Sequence, residues 1–393
     1  MDPTVVAASI AAGVSALTFM GTLAAQYLGY RAASRDAEKT AEDQRKQLDR
    51  TFAEQNQQLD RSLTEQRQHL DRTLAEQNQQ LDRTLAEQRT RTLNERFATA
   101  AEQLGSDKPA VRLAGVYAMA GLADDWEENR RTCVDVLCAF LRMPYEPDPG
   151  ADAEVEERLA FQTNREVRHT VIRVITARLK KDKDDPQSWR GLNFDFTGVV
   201  FDGGDFTDAI FSGGEVSFRK ARLSDGMVDF TGARFTGAIV DFSGSRFTGG
   251  QVYFVGAQFS GAEVYFSEAE FSGGLVSFGA ARISYGQVHF ADARFSGGYV
   301  NFGGAEFSGG LVSFSIARFT GGRVDFTGAR FTGGHVDFGT ACFTGAEIDF
   351  SAAMFSAGTV DFRYIDDWSC IPKFPWTGAP PKGVKFPDSG GET

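Results

Sequence analysis

An uncharged stretch opens the hydrophobic pattern of the chain, because residues 4–30 contain no Asp, Glu, Lys or Arg. About 20 such residues suffice to cross a bilayer as a helix. A cleaved signal peptide and a buried core helix are the alternatives, but Asp2 stands where a signal peptide carries a basic residue. Cations follow the stretch at Arg31, Arg35, Lys39, Arg45 and Lys46. We therefore predict a transmembrane helix over 4–30, single-pass in the cell membrane, with the C-terminal bulk of the chain in the cytoplasm.

An eleven-residue period follows, inside a predicted coiled-coil stalk over residues 31–91. Each of the four units in 48–91 begins with Leu and has a second apolar residue four positions later, which gives the pairs Leu48 and Phe52, Leu59 and Leu63, Leu70 and Leu74, and Leu81 and Leu85. A period of 11 favours a nearly straight or gently right-handed coiled coil. Because this stripe is narrow, a single solvated helix is the alternative. We favour a homo-oligomer through residues 48–91, since a membrane anchor concentrates identical stripes.

Charges on the same units lie four residues apart and predict ion pairs along the helix. Each pair of this spacing adds about 0.2–0.5 kcal/mol of helix stability. The predicted pairs are Arg50 with Glu54, Arg61 with Glu65, Arg72 with Glu76, and Arg83 with Glu87.

Ordinary amphipathic periodicity replaces the eleven-residue period over residues 92–186 and predicts an α-helical domain. The stretch QLGSDKPAVRLAGVYAMAGLA, residues 103–123, resembles one HEAT or armadillo unit. That resemblance implies helix pairs that form a protein-binding surface. Cys133 and Cys138 lie among apolar residues, and we interpret them as buried thiols without a reactive or metal-binding role.

A strand period begins near Gly191 and predicts a parallel β-helix over residues 187–362. Thirteen twelve-residue units follow the pattern V-x-F and A-x-F, with exceptions such as Leu223 and Ile283 at the second aromatic position, and this spacing of two directs both marked side chains inward. One aromatic column runs from Phe206 to Phe350 in steps of twelve, and a second runs from Phe211 to Phe355. Strands this short are stable only if each pairs with its equivalent in the next coil. The predicted structural core includes Phe230, Phe242, Phe254, Phe266, Phe278 and Phe290.

The register F-x-x-A-x-F resembles the pentapeptide-repeat family, most closely over residues 192–216, where the five-residue beat is unbroken. The resemblance implies a right-handed, four-sided β-helix. Two residues are inserted in every second repeat, so four sides would require 24 residues per coil, whereas a two-sided coil would require twelve. We favour four sides because F-x-x-A leaves only two residues for a turn. Over residues 363–393 we predict a cap of Trp368, Phe374 and Trp376 on the last coil, followed by a loose tail, DSGGET.

Outward positions of these strands are the candidate partner-facing residues. Between Val and Phe they include Asp229, Asp241, Tyr253, Tyr265, His289, Asp325, Asp337 and Asp349, and between Ala and Phe they include Arg222, Arg234 and Arg246. The alternative is a solvated surface whose charges oppose aggregation. A Ser or Thr follows the second aromatic position in all thirteen units, from Ser212 to Ser356, and we predict that these hydroxyls close turns onto the backbone.

Composition and motifs exclude several classes of function. The net charge of -12 at a pI near 5.0 argues against a general nucleic-acid-binding protein, which needs excess Lys and Arg, so no direct nucleic-acid partner is expected. The four cysteines form no C-x-x-C pair and indicate reduced thiols in the cytosol. Phosphate-binding loops, nucleophile elbows and zinc-protease motifs are absent from the sequence. We therefore predict a protein without catalytic activity, cofactor or metal.

These patterns favour a membrane-anchored scaffold or protein-interaction protein that presents a β-helical rod to a cytoplasmic partner. The family resemblance also implies an alternative, since some pentapeptide-repeat proteins mimic DNA and inhibit type II topoisomerases. The basic outward positions and the apolar N-terminal stretch argue against it. An extracellular adhesin or ice-binding solenoid is a further alternative, and it requires the opposite topology.

Overall fold

The computed structural model describes residues 3–145 and 148–387, with side chains from residue 7 onward. The chain divides into two compact units, residues 1–89 and 90–393. The predicted loose tail, 388–393, lies outside the described residues.

One continuous helix, α1 (Pro3–Leu104), forms all of the described part of the first unit and extends into the second. Residues 30–104 contain neither Gly nor Pro and are rich in Ala, Leu, Glu, Gln and Arg, which have high helix propensity. Gly105 follows the last helical residue. The N-terminal part of α1 is, by length and composition, apolar enough to cross a membrane.

The predicted Arg–Glu ion pairs of α1 do not form. Within residues 48–91, which the structure describes in full, none of the four pairs is within ion-pair distance. Each Arg precedes its Glu in the chain, an order that is less favourable than Glu before the cation, although Arg91 and Glu95 of the same helix do pair in this order at 3.0 Å. That part of the prediction is wrong.

The second unit begins with the C-terminal end of α1, which packs with three further helices: α2 (Pro109–Asp125), α3 (Arg130–Arg142) and α4 (Val155–Leu179). A short 3-10 helix, Glu127–Asn129, joins α2 to α3. Pro109 begins α2, where its missing N–H costs no hydrogen bond. Cys133 and Cys138 are fully buried, and burial raises their pKa values to about 11 and about 12.

Two parallel sheets wrap the remainder of the unit into a β-helix, so the predicted solenoid is confirmed. Each sheet contains two ladders of strands, and every coil contributes one strand to each of the four ladders. Some strands are long enough to belong to both ladders of their sheet.

In the first sheet, ladder 1 carries the A-x-F segments and ladder 2 the V-x-F segments. Ladder 1 contains Ile210–Ser212, Arg234–Thr236, Gln258–Tyr265, Arg282–His289, Glu306–Phe307, Arg330–Phe331 and Met354–Phe355. Ladder 2 contains Phe194–Asp195, Glu215–Ser217, Ile239–Asp241, the second halves of Gln258–Tyr265 and Arg282–His289, Leu311–Ser313, His335–Asp337, Thr359–Asp361 and Val384–Lys385.

The second sheet has the same organisation, with A-x-F segments in ladder 3 and V-x-F segments in ladder 4. Ladder 3 contains Val200–Phe201, Arg222–Leu223, Arg246–Phe247, Glu270–Phe271, Arg294–Asn301, Arg318–Asp325 and Cys342–Phe343. Ladder 4 contains Gly204–Asp205, Met227–Asp229, Gln251–Tyr253, Leu275–Ser277, the second halves of Arg294–Asn301 and Arg318–Asp325, and Glu347–Asp349.

The register of the ladders determines the length of a coil. Val252 pairs with Val276, so partners lie 24 residues apart and one coil contains two twelve-residue units. In the first coil Phe194 pairs with Val216, a separation of 22 residues, because the five-residue beat is still partly unbroken there. The twelve-residue coil that the sequence left open is not the one that the chain forms.

The core consists of Phe rings stacked along the solenoid. Phe254 stacks on Phe230 and on Phe278 with centroids 4.8 Å apart in both cases. Against the neighbouring column it meets Phe242 edge to face, at 5.8 Å and 87°. Both geometries suit the ring quadrupole. The six Phe residues predicted for the core are at most 1% exposed.

Each tight turn between a V-x-F and an A-x-F segment requires a left-handed backbone. Ala257 N–H donates to the Phe254 carbonyl at 3.1 Å, and Gly256 between them has φ +65°. A β-turn of this kind needs positive φ at its third residue, which favours Gly. Eight turns have another residue there, namely Asp208, Lys220, Glu268, Ala280, Asp292, Ile316, Thr340 and Ala352.

Aromatic residues lie against the last coil of the solenoid. Phe374 stacks on Phe350 at 5.5 Å, Trp376 meets Phe355 edge to face at 5.2 Å, and Trp368 lies 6.0 Å from Phe362. The ladder edge at this end is also extended by Val384–Lys385.

Candidate partner-binding surface

The outward positions form four columns, because successive twelve-residue units alternate between opposite sheets. The candidate residues that appear as one column in the sequence therefore separate. Ladder 2 carries Asp241, Tyr265, His289 and Asp337, whereas ladder 4 carries Asp229, Tyr253, Asp325 and Asp349. Ladder 1 carries Arg234, and ladder 3 carries Arg222 and Arg246.

The candidate Asp side chains are occupied by the backbone of the following turn. Asp241 Oδ1 accepts the N–H of Ser243 at 2.8 Å, and Asp325 Oδ1 accepts that of Thr327 at the same distance. The same contact, to the N–H two residues on, is made by Asp229, Asp337 and Asp349. Asp241, Asp325 and Asp349 are only 7–8% exposed. These carboxylates cap turns and offer little surface to a partner.

A sequence signal for this role was present. Asp, Asn and Ser readily accept a hydrogen bond from the backbone two residues on, and the recurring D-F-[TS] segment places such a residue directly before each tight turn. We instead expected the Ser or Thr after the second aromatic position to close turns. None of those described hydroxyls closes its own turn; Thr320 alone donates to a backbone carbonyl, that of Phe295 on the neighbouring coil at 3.5 Å, so that prediction is wrong.

Local charges adjust the acidity of the capping carboxylates. Burial on its own would raise the pKa of Asp325, but hydrogen bonds from Thr327 and Tyr299 and the charge of Arg323 lower it below the ordinary value. The Tyr299 hydroxyl donates to Asp325 at 2.8 Å, and Arg323 lies 3.0 Å from the same carboxylate. The Asp325 carboxyl of this cluster is therefore more acidic than an ordinary Asp side chain.

The candidate aromatic residues are not assembled into one patch. Tyr253 lies on ladder 4, in the opposite sheet from Tyr265 and His289. The Tyr265 ring stacks on His289 at 5.1 Å, and its hydroxyl donates to Glu263 at 2.8 Å. Burial lowers the pKa of His289. Only Tyr265 and His289 can therefore act together.

The candidate Arg side chains are exposed, in contrast to the Asp side chains. Arg222, Arg234 and Arg246 all project from the A-x-F ladders into solvent. Arg246 lies 3.7 Å from Glu270, with its side chain 63% exposed. An exposed ion pair of this length contributes about 0–1 kcal/mol, so the guanidinium remains available to a partner.

Direct Arg–Arg neighbours occur twice on ladder 3. Arg222 pairs in register with Arg246, and Arg294 pairs with Arg318. Like charges directly opposite each other destabilise a sheet. Glu270 lies between the two pairs on the ladder, 3.7 Å from Arg246, and Asp292 lies 3.7 Å from Arg318, so exposed carboxylates offset part of this repulsion.

A polar network that sequence reasoning missed joins the helices to the first coil. Asp202 accepts hydrogen bonds from the Tyr145 hydroxyl at 2.5 Å and from His169 Nε2 at 3.1 Å. Burial opposes ionisation of Asp202, but these hydrogen bonds lower its pKa overall. Buried Arg168 donates to the carbonyls of Leu141 and Val200, at 2.8 and 2.9 Å. The helices thus cover the N-terminal end of the solenoid, a role that helical periodicity by itself does not reveal.

Sites for a metal are not formed within residues 3–145 and 148–387, where no group of three or more His, Cys, Asp or Glu side chains converges.

Residues 254–305 match the family model described as pentapeptide repeats, with nine copies. No curated protein and no solved structure matches the chain. The helical segment that resembles a HEAT unit lies outside the family match. The stacked coils, the filled Phe columns and this match over residues 254–305 support an interpretation of the solenoid as pentapeptide repeats.

Proposed function

We propose that the protein is a non-catalytic scaffold that is anchored in the cell membrane through residues 4–30 and binds a cytoplasmic protein through the Arg residues of its solenoid. The solenoid interior is filled by stacked Phe rings, with 4.8 Å between the centroids of Phe230 and Phe254. Only the outer surface is then available to a ligand. A regular protein surface without a deep internal cavity suits a protein–protein contact.

The paired arginines of ladder 3 carry this proposal. Arg222 lies beside Arg246 and Arg294 beside Arg318, and the exposed carboxylates of Glu270 and Asp292, each 3.7 Å from one of these arginines, offset only part of the repulsion. Carboxylates of a partner would remove that repulsion and accept two parallel hydrogen bonds from each guanidinium. Arg is also enriched among the residues that dominate binding energy at interfaces. The partner is therefore a protein with an acidic segment along this face.

Membrane attachment and topology rest on the sequence of α1. The apolar part of the helix is long enough to span a bilayer, and the cations that follow it favour a cytoplasmic location for the solenoid. Labelling of Cys370 tests this topology. We expect a membrane-impermeant maleimide to label Cys370 only after lysis of the cells. Labelling in intact cells would place the solenoid outside and favour the adhesin alternative.

Exposed arginines argue against the DNA-mimic alternative, because a mimic of duplex DNA needs a nearly uniform negative surface. Arg222, Arg234 and Arg246 interrupt any such surface on two ladders. Dose-dependent inhibition of gyrase supercoiling by the full-length protein would reverse this ranking.

Crosslinking in native membranes tests the binding surface. In one variant Arg222, Arg246, Arg294 and Arg318 are replaced by Ser, and in a matched control Arg50, Arg61, Arg72 and Arg83 of α1 are replaced by Ser. Both variants lose four positive charges. We expect the solenoid variant to crosslink at least tenfold less partner than the natural protein does. The control variant should crosslink as much partner as the natural protein. Equal loss in both would indicate a general charge effect, and retention in both would contradict the proposed surface.

A further inference from the structure

An unpaired apolar stripe runs along α1 over the four eleven-residue units. The eight side chains that form it are 46–60% exposed: Leu48, Phe52, Leu59, Leu63, Leu70, Leu74, Leu81 and Leu85. In the first unit the described residues form only this helix, so no other element there covers the stripe. A helix that exposes a continuous apolar stripe over many turns is typical of one that packs against another helix.

At 3.67 residues per turn, different side chains lie on the two sides of the stripe. We call these two sides the uncharged flank and the charged flank. The uncharged flank consists of Gln55, Gln66, Gln77 and Gln88, with Thr51, Ser62, Thr73 and Thr84 beyond them. The charged flank consists of Asn56, Arg67, Asn78 and Arg89, with Asp49, Asp60, Asp71 and Asp82 beyond them. The remaining Arg and Glu of each unit lie on the far side of the helix.

Three of the four hydroxyl groups of the uncharged flank already donate a hydrogen bond within α1. Thr51, Thr73 and Thr84 donate to the carbonyl four residues earlier, at 2.8, 2.9 and 2.9 Å. Covering these hydroxyls therefore leaves no donor without an acceptor, and burial of such a donor would otherwise be costly. This flank can be covered by another helix together with the stripe.

The flanks also determine the direction of a partner helix. In a parallel pair the uncharged flank of each helix faces the charged flank of the other, as the two sides of a coiled-coil seam do. In an antiparallel pair the two charged flanks face each other. Each of them carries four Asp and two Arg and is thus net negative. Because like charges repel, the parallel arrangement is favoured.

We propose that residues 48–91 bind a second copy of this chain as a parallel, in-register and gently right-handed coiled coil. All four units of one helix contact units of the other only when the two helices are in register. A shift by one unit would leave the apolar side chains of one unit in each helix uncovered. The eleven-residue period gives the pair its right-handed supercoil. This interface lies on α1, so it is independent of the partner surface proposed for the solenoid.

The mass of the full-length protein in detergent micelles tests the association. We expect a particle with two chains of 42.8 kDa each for the natural protein. Replacing Leu59, Leu63, Leu70 and Leu74 by Gln should halve the protein mass. A control in which Gln57, Gln68 and Gln79 on the opposite side become Ala should keep it. A monomeric natural protein, or an unchanged mass in the Leu variant, would overturn the proposal.

Disulfide formation tests direction and register in a chain whose stripe is otherwise intact. Leu48→Cys introduces a thiol into a segment that has none, since the first natural cysteine is Cys133. We expect this variant to form a disulfide-linked dimer on mild oxidation, whereas the natural chain stays uncrosslinked. Crosslinking only in a mixture of Leu48→Cys and Leu85→Cys chains would indicate an antiparallel pair and contradict the proposal. Neither result bears on the separate experiment in which the solenoid is crosslinked to its protein partner.

Discussion

Two regions of this protein repeat their sequence, and they use the repeat in opposite ways. In α1 the eleven-residue units leave their apolar side chains about half exposed, with Leu70 at 60%. In the solenoid the twelve-residue units bury theirs almost completely, with Phe254 at 0%. Helical hydrogen bonds are made within one segment, so a helical repeat needs no neighbour to satisfy its backbone. A strand of the solenoid makes its backbone hydrogen bonds to the next coil, so it is stable only when the coils stack. The same stacking buries the side chains of the core.

Removing a ring from the stack should have the largest effect. Phe254→Ala should destabilise the solenoid by about 3–5 kcal/mol, because a stacked and fully enclosed ring leaves a cavity. Hydrogen exchange of amides in residues 194–361 would measure this. Leu70→Ala should leave the exchange of the same amides unchanged. An effect of similar size from both substitutions would contradict the division into two independent repeat regions.

Glycines with a left-handed backbone offer the next largest contrast. A Cβ at Gly298 would lie 2.7–2.8 Å from backbone atoms of Gly273 and Gly274, whereas one at Gly304 would meet nothing within 4 Å. Both residues have positive φ, at +69° and +66°. We expect Gly304→Ala to cost about 1 kcal/mol for the left-handed backbone alone and Gly298→Ala to cost clearly more. Thermal unfolding of the two variants checks this, and equal melting temperatures would show that coil-to-coil contact is not limiting.

Relief of strain at a tight turn should stabilise the solenoid. Ile316 has φ +60°, a conformation that β-branched residues rarely adopt, and its side chain is exposed. Ile316→Gly should raise the free energy of unfolding by about 1 kcal/mol, since few contacts are lost and the left-handed conformation becomes favourable. The melting temperature should rise. A fall would mean that the Ile side chain contributes more than its exposure suggests.

The smallest effect concerns pH. Because the pKa of Asp325 is lowered in the folded protein, its charge stabilises the fold at pH values above the unfolded pKa of about 3.9. This stabilisation is lost as the pH falls through the folded pKa. Asp325→Asn keeps an oxygen for the Thr327 N–H but cannot titrate. We expect a shallower loss of stability below about pH 4, measured by urea midpoints. An unchanged slope would indicate that Asp325 does not contribute to acid sensitivity.

Asp side chains at outward positions of a strand can nevertheless have a structural role, because Asp241 and Asp349 cap the turns that follow them. An alternating pattern indicates which face of a strand a residue occupies, and it predicted the buried Val and Phe positions well. It does not indicate whether a polar side chain is used by the next turn, because this depends on where the backbone N–H two residues later points. Arg222 and Arg246 follow the simple expectation and are exposed, and the N–H two residues after Arg246, that of Thr248, donates to the Leu223 carbonyl of the neighbouring coil.

The sequence by itself determined the repeat lengths, the helical character of residues 4–91 and the parallel β-helix, since each depends on spacing that is local to the chain. Only the tertiary structure decided the 24-residue coil, which separates Tyr253 from Tyr265, and the contact of Asp202 with Tyr145 and His169 that covers the first coil. These features join residues that are distant along the chain. Their geometry depends on how coils stack and helices dock, and no local pattern of polar and apolar residues encodes it.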